Sequence, residues 1–236
     1  MRFPSGHSIR RASALFIVLA VLIGSGCSTG RGGRVVSESE SKAAGDAKIR
    51  ADAYQFNARL WRQGKPTTFK LYLYVTDSSI GLSGTAYLGK GAFQGWLSHD
   101  SIKVYFPTNR EYVYEPIASF GEGAECPAPL ASLNLFSVLT TTPDSLSADG
   151  AFAVESGYDD SDHPQFTVNS SDQDCPWMVE AEYRREENTL RLRKFDFRDG
   201  RDTRLRGELN RFRGDAEVPV ERFRVELPAD AVRILP

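Results

Sequence analysis

Ala53-Tyr54-Gln55-Phe56-Asn57-Ala58-Arg59-Leu60 alternates with a period of two: Tyr54, Phe56, Ala58 and Leu60 share one face, and Gln55, Asn57 and Arg59 share the other. Successive side chains of a strand point to opposite sides, so the pattern is that of a strand buried on one face only. It returns after Gly64-Lys65-Pro66, where Phe69, Leu71, Leu73 and Val75 oppose Lys70, Tyr72 and Tyr74. Three further segments carry it: Ile80, Leu82, Ala86 and Leu88; Phe93, Gly95 and Leu97; and Ile102, Val104 and Phe106, with Tyr112 and Tyr114 marking a sixth strand. The intervening Asp77-Ser78-Ser79, Gly89-Lys90-Gly91, His99-Asp100 and Thr108-Asn109 are turn formers. The six strands are therefore expected as an antiparallel meander.

Between 129 and 142 the period changes: Leu130, Leu133, Phe136 (or Leu135) and Leu139 recur every three or four residues, which predicts one amphipathic helix. Its apolar stripe needs a partner, and the concave side of a curved sheet supplies one. Strands are expected again at 151–155, 166–169, 177–184, 189–197, 203–212 and 222–227. Trp177, Val179, Ala181 and Tyr183 share a face in the third of these. So many strands exceed what a flat open sheet holds. The fold class expected is mainly β: an antiparallel, strongly curved half-barrel of about eleven strands with a helix covering the concave face, occupying residues 48–236.

Upstream of this domain lie a basic stretch with Arg2, Arg10 and Arg11, an apolar run from Ala14 to Ile23, and Gly24-Ser25-Gly26 before Cys27. The run is about half the roughly 20 residues that a spanning helix needs, so residues 1–26 are expected as a secretory signal that is removed. Small residues directly before a cysteine resemble a lipobox, with Gly24 where a branched aliphatic residue is usual and Ile23 one place earlier. Lipidation of Cys27 follows from that resemblance, and acyl chains there would hold the protein to a membrane. Ser28 rather than Asp after the cysteine resembles the enteric sorting signal for the outer membrane, which implies a lipid anchor on its periplasmic side. Residues 27–47, rich in Gly, Ser, Arg, Lys and Glu, bury too little to offset ordering and are expected as a flexible tether.

Losing the first 26 residues removes three arginines and no acid, taking the formal charge from −2 to −5. A net acidic chain is a poor partner for nucleic acid. In an oxidising compartment the remaining pair, Cys126 and Cys175, is expected as a disulfide, worth about 3–4 kcal/mol on the loop-entropy model. No Gly-x-Ser-x-Gly elbow, phosphate-binding glycine loop or His-Glu-x-x-His is present, so no catalytic residue, metal or cofactor is assigned and the chain is not expected to be an enzyme. His99 reads as a solvated turn residue. A hydrolase on an unfamiliar motif would rest on it and on His163 alone. Asp159, Asp160, Ser161, Asp162, His163, Asp172 and Asp174 offer oxygen ligands but lack the EF-hand spacing, and read as hydrated loops. The basic positions from Arg184 to Arg206 alternate with acids, which reads as a wet outer face or, less simply, a lipid-headgroup contact.

Three stretches carry a family likeness: Ala53–Leu60; Ser98-His99-Asp100-Ser101-Ile102-Lys103-Val104-Tyr105-Phe106-Pro107-Thr108-Asn109-Arg110-Glu111-Tyr112; and Val220-Glu221-Arg222-Phe223-Arg224-Val225-Glu226-Leu227-Pro228-Ala229-Asp230-Ala231-Val232. Together they resemble the outer-membrane lipoprotein carrier and receptor superfamily, the LolA/LolB-like proteins. The resemblance implies an eleven-stranded incomplete barrel, closed by helices, whose apolar hollow takes the acyl chains of lipoproteins. This chain differs in having one clear helix and a cysteine pair, and no gating residue of that superfamily is carried over.

The function expected is a lipid-anchored, monomeric envelope lipoprotein that binds acyl chains or lipoprotein cargo in transfer or insertion at the outer membrane. Tyr54, Phe56, Leu60, Phe69, Leu71, Leu73, Leu82, Phe93, Leu97, Val104 and Phe106 would line its hydrophobic cavity, with Leu130, Leu133, Phe136 and Leu139 on a lid helix. The alternative is a scaffolding lipoprotein with a filled interior that binds a protein partner.

Overall fold

The computed structural model describes residues 47–86, 89–116, 152–158, 164–170, 178–186, 189–198 and 203–234. These form β1 (Lys48–Arg62), β2 (Lys65–Val75), β3 (Ser79–Thr85), β4 (Gly91–Ser98), β5 (Ser101–Phe106), β6 (Glu111–Pro116), β7 (Phe152–Tyr158), β8 (Pro164–Ser170), β9 (Met178–Glu186), β10 (Thr189–Arg198), β11 (Thr203–Pro219) and β12 (Val232–Arg233). All belong to one open, curved sheet in the order β12-β6-β5-β4-β3-β2-β1-β11-β10-β9-β8-β7. Every pairing is antiparallel except the short parallel one between β12 and β6. The predicted meander holds for β1 to β6. A second meander runs from β7 to β11, and β1 against β11 joins the two along Lys48–Arg62.

The β1–β2 hairpin shows how sequence sets register. Gln63 and Gly64 both have positive φ, 50° and 73°, the signature of a two-residue turn whose twist matches that of the strands. Arg62 is thereby placed opposite Lys65, and the apolar sets of the two strands fall on one face: Tyr54 opposite Leu73, Phe56 opposite Leu71, Ala58 opposite Phe69. A slip of one residue would turn all of them to the other side.

Two expectations need correction. Residues 222–227 are not a strand. The chain leaves β11 through a 3-10 turn at Val220–Phe223 and then crosses the outer face of the sheet as an extended strap. The strap's carbonyls are taken by side chains beneath it rather than by a neighbouring strand: Gln94 Nε2 donates to Arg224 O and Lys103 Nζ to Val225 O, both at 2.8 Å. Next, Ala86 does not continue β3. Its N–H bonds Lys90 O at 2.9 Å, because the chain must already be turning to enter β4. The strands number twelve among the described residues, within the eleven or twelve that the sequence segments suggest, and the strap ends by adding β12 to β6. The expected helix at 129–142, Leu88 and Trp177 lie outside the described residues.

The strap lies close because β3 carries Gly81 there. A Cβ at that position would stand 2.1 Å from the Arg222 carbonyl oxygen. Phe223 packs toward Tyr74 with ring centroids 6.5 Å apart, Arg222 lies 5.6 Å above the Tyr74 ring, and Val225 is buried.

Candidate functional site

All eleven residues expected to line a cavity fall in a single buried cluster on the apolar face. Phe56 is 0 % exposed and Leu82, the most accessible, 8 %. The cluster runs from Val113 in β6, through β5 to β1, to Leu205, Leu192 and Tyr183 in β11, β10 and β9. Aromatic rings tie strands together: Phe69 of β2 meets Phe93 of β4 edge-on at 6.0 Å across β3, Phe56 of β1 meets Phe195 of β10 at 5.4 Å across β11, and Tyr183 meets Phe166 of the adjacent β8 at 5.4 Å. Edge-on aromatic pairs add to plain area burial, so this face is held both by its dryness and by its geometry. Cys27, Cys126, Cys175, Leu130, Leu133, Phe136, Leu139 and the acidic stretches at 159–163 and 172–174 lie outside the described residues.

The opposite face of β8 to β11 is the wet one the mixed charges announce. Lys194 pairs with Glu182 at 2.7 Å, and Arg198 reaches Glu180 at 3.3 Å and Asp196 at 3.4 Å. Arg204 Nε donates to both Asp196 oxygens, at 2.9 and 3.1 Å. Burial alone would raise the Asp196 carboxyl, but hydrogen bonds and charge from Arg204 and Arg198 outweigh it and hold the group below the usual carboxylate range. The guanidiniums of Arg59 and Arg204 both lie over the Trp61 ring, 5.5 and 5.2 Å from its centre. A cleft of about 430 Å³ opens over this ladder, and a second of about 470 Å³ lies beside the strap, between Tyr72, Gln94 and Arg222. His99 sits in the β4–β5 turn with Nε2 3.3 Å from Asp77 O, as expected of a turn residue. Among the described residues no group of His, Cys, Asp and Glu is arranged to hold a metal ion.

Sequence reasoning missed a place where the sheet forks. β10 pairs with β11 only from Lys194–Arg198 to Arg204–Glu208. Beyond that, Thr189–Leu192 goes on pairing with β9 while Leu209–Pro219 goes on with β1. Each strand carries a bulge at the parting, between Leu192 and Lys194 on β10 and between Leu209 and Arg211 on β11. Bulges bend and over-twist the strand that carries them, which explains why the two diverge. Charge alternation groups Arg191 with the wet outer arginines, but it is half-buried and lays its guanidinium 3.5 Å from the centre of the Phe212 ring. Phe212 packs against the apolar cluster and tilts onto Tyr54, with centroids 4.8 Å apart.

Two tyrosines of the apolar face belong to the same place. Tyr54, 7 % exposed, has its hydroxyl pushed up to about 12, chiefly by burial and next by Asp52, while Arg191 pulls the other way. Tyr183 is raised as well, by burial first and by Tyr54 second. Tyr54 thus feels both the Arg191 guanidinium and the Tyr183 phenol.

The class defined is a mainly β protein built on one open, curved, predominantly antiparallel sheet with one apolar and one charged face. No protein-family model matches the chain, and no curated protein matches it. Among solved structures it is similar to an uncharacterized conserved protein from Thermus thermophilus, with 10 % identity and a TM-score of 0.41 over 77 % of this chain and 89 % of that one. It is similar too to a DUF1329 family protein from Desulfovibrio piger, with 9 % identity and a TM-score of 0.40 over 75 % and 90 %. A third likeness, to PNGF-II, has a TM-score of 0.37 and 10 % identity over 78 % of this chain and 31 % of that one. Likenesses this distant leave the description of the fold to rest on the strand register itself.

Proposed function

We propose that this chain is a lipid-anchored protein of the bacterial envelope that holds acyl chains against the apolar face of its sheet, in the transfer or insertion of lipids or lipoproteins at the outer membrane. The observation that carries the reading is the continuous apolar face from β6 to β9, all on one side of one curved sheet. An apolar face of this extent matches an acyl chain, which gains about 0.8 kcal/mol per CH₂ buried away from water. The signal, the cysteine at position 27 and the three LolA/LolB-like stretches support the same reading from the sequence side. No covalent chemistry is needed: uptake and release follow from the relative dryness of donor, sheet and acceptor.

Native mass spectrometry of the full chain, extracted in non-ionic detergent, tests it. Lipid-mass adducts that persist after detergent exchange, and that weaken when Leu71 is replaced by glutamine in a protein that still folds, are expected. Bare protein under conditions that preserve known lipid complexes overturns the reading. It would leave a scaffolding lipoprotein, for which the mixed-charge cleft over β8 to β11 offers a protein-facing surface.

A further inference from the structure

The outer side of β3 is a trough. Its residues there are Ser79, Gly81, Ser83 and Thr85, all small, while β2 and β4 set the larger Tyr72, Tyr74, Gln94 and Trp96 alongside. At the Gly81 end the strap fills the trough, with the Arg222 carbonyl lying where a Cβ would stand. Toward Thr85 it opens as the cleft of about 470 Å³, a volume within the range of small-molecule sites. Tyr72, Ser83 and Gln94 form one row in register across the cleft, and Arg222 of the strap borders it. Among the described residues the Tyr72, Ser83 and Thr85 hydroxyls and the Arg222 guanidinium have no hydrogen-bond or ion-pair partner. Gln94 gives Nε2 to the Arg224 carbonyl, which leaves its Oε1 as an acceptor. The Tyr74 ring supports Arg222, 5.6 Å from guanidinium to ring centre. No carboxylate is among the cleft's described lining residues, and Glu221, next to Arg222 in the chain, makes no ion pair with it. The next charge in register is again positive, Lys70 opposite Thr85.

We infer that this cleft binds an anionic saccharide: a sugar ring whose hydroxyls pair with Tyr72, Ser83, Thr85 and Gln94 Oε1, and whose carboxylate or phosphate meets the Arg222 guanidinium. Three features select that chemistry. Protein hydroxyls both donate and accept, so a row of them matches a polyol, whose own hydroxyls do the same. The tyrosine rings add a flat apolar surface with a polar tip, which suits a ring with C–H groups on its faces and oxygens at its rim. A planar guanidinium without an acid beside it pairs bidentately with carboxylate or phosphate, and it makes this cleft positive on a chain whose net charge is −2. The cleft lies on the side of the sheet opposite the apolar cluster. A sugar there neither requires nor competes with an acyl chain, so the inference goes beyond the acyl-binding reading and stands apart from it.

The test uses the full chain in non-ionic detergent with four probes: glucose, glucuronate, glucose 6-phosphate and inorganic phosphate. Isothermal titration calorimetry gives dissociation constants for wild type, Arg222→Gln, Tyr72→Phe and Ser83→Ala, and near-ultraviolet circular dichroism checks that each variant keeps its packing. Wild type is expected to bind at least one charged sugar about tenfold more tightly than glucose or inorganic phosphate, the size of one hydrogen bond to a charged group. Glucuronate alone favoured identifies the anionic group as a carboxylate, and glucose 6-phosphate alone as a phosphate. Arg222→Gln should bring the charged sugars to the level of glucose. Tyr72→Phe and Ser83→Ala should each weaken every sugar severalfold and leave inorganic phosphate unchanged. Equal affinity for charged sugars and glucose, or a preference that survives Arg222→Gln, overturns the inference. So does inorganic phosphate bound as tightly as the charged sugars, which makes the cleft a plain anion site, and so does binding of no probe. All four outcomes leave the acyl reading standing, because its own test is read on the other face.

Discussion

A methyl group added at Gly81 reports on whether the strap is a separately docked piece of the fold. In Gly81→Ala the new Cβ would lie 2.1 Å from the Arg222 carbonyl oxygen and 2.9 Å from its carbon. Neither atom belongs to a flexible side chain, so the strap must rise by on the order of 1 Å to reach van der Waals distance. That movement strains the bonds from Gln94 to Arg224 O and from Lys103 to Val225 O and begins to uncover Val225. The two bonds are worth about 1 and 2 kcal/mol, and burial of the valine about 1.5 kcal/mol. The chain recovers conformational freedom as the strap comes away, so the loss is capped at the strap's net docking energy, about 2–3 kcal/mol. Hydrogen exchange resolves this residue by residue. The amides of Val232 and Ile234, which bond Arg110 O and Tyr112 O at 2.8 Å, should lose about a hundredfold in protection, equivalent to about 2.7 kcal/mol. Those of Leu71 and Leu73 should be unchanged. Val232 and Ile234 protected as in wild type would refute the reasoning, as would a uniform loss across the whole sheet.

Three further outcomes follow from the structure. Phe56→Ala, at the fully buried centre of the apolar face and against Phe195, should cost about 3–5 kcal/mol in urea unfolding, and a cost below about 1 kcal/mol would contradict the packing described. The folded Asp196 carboxyl titrates below its unfolded value, so its contribution is complete above the ordinary carboxylate pKa near 3.9 and is lost as pH falls through the folded value. Asp196→Asn should therefore cost ~1 kcal/mol at pH 7, kept small by the 40 % exposure of the Arg204 side chain, with the gap to wild type closing below about pH 4; a gap independent of pH would contradict the pairing. Cys27→Ser should move the chain from the membrane to the soluble envelope fraction, and an unchanged membrane fraction would remove the lipid anchor from the account.

The apolar face is legible residue by residue because a period of two admits no ambiguity once a face is dry. Tyr54 to Leu60 and Phe69 to Val75 need only the Gln63–Gly64 turn to fix their register. Pairing of β1 with β11 is not legible, since strands so far apart along the chain carry no local sign of being neighbours. The strap reads as a strand for a physical reason: Phe223, Val225 and Leu227 alternate as a strand would, and only Gly81, Gln94 and Lys103, far away in sequence, turn that alternation into a crossing. Arg191 reads as an outer-face residue because alternation of charge is a rule for unbroken strands. The bulges that open the fork leave no compositional mark of their own.

Photolabelling with a palmitate that carries a diazirine near its methyl end tests most directly whether acyl chains lie on the apolar face. After irradiation of the full chain and proteolysis, labels are expected on peptides holding Phe56, Leu71, Phe93 and Val104. Labels confined to the charged face of β8 to β11, or none above a reaction competed by excess unlabelled palmitate, would contradict it.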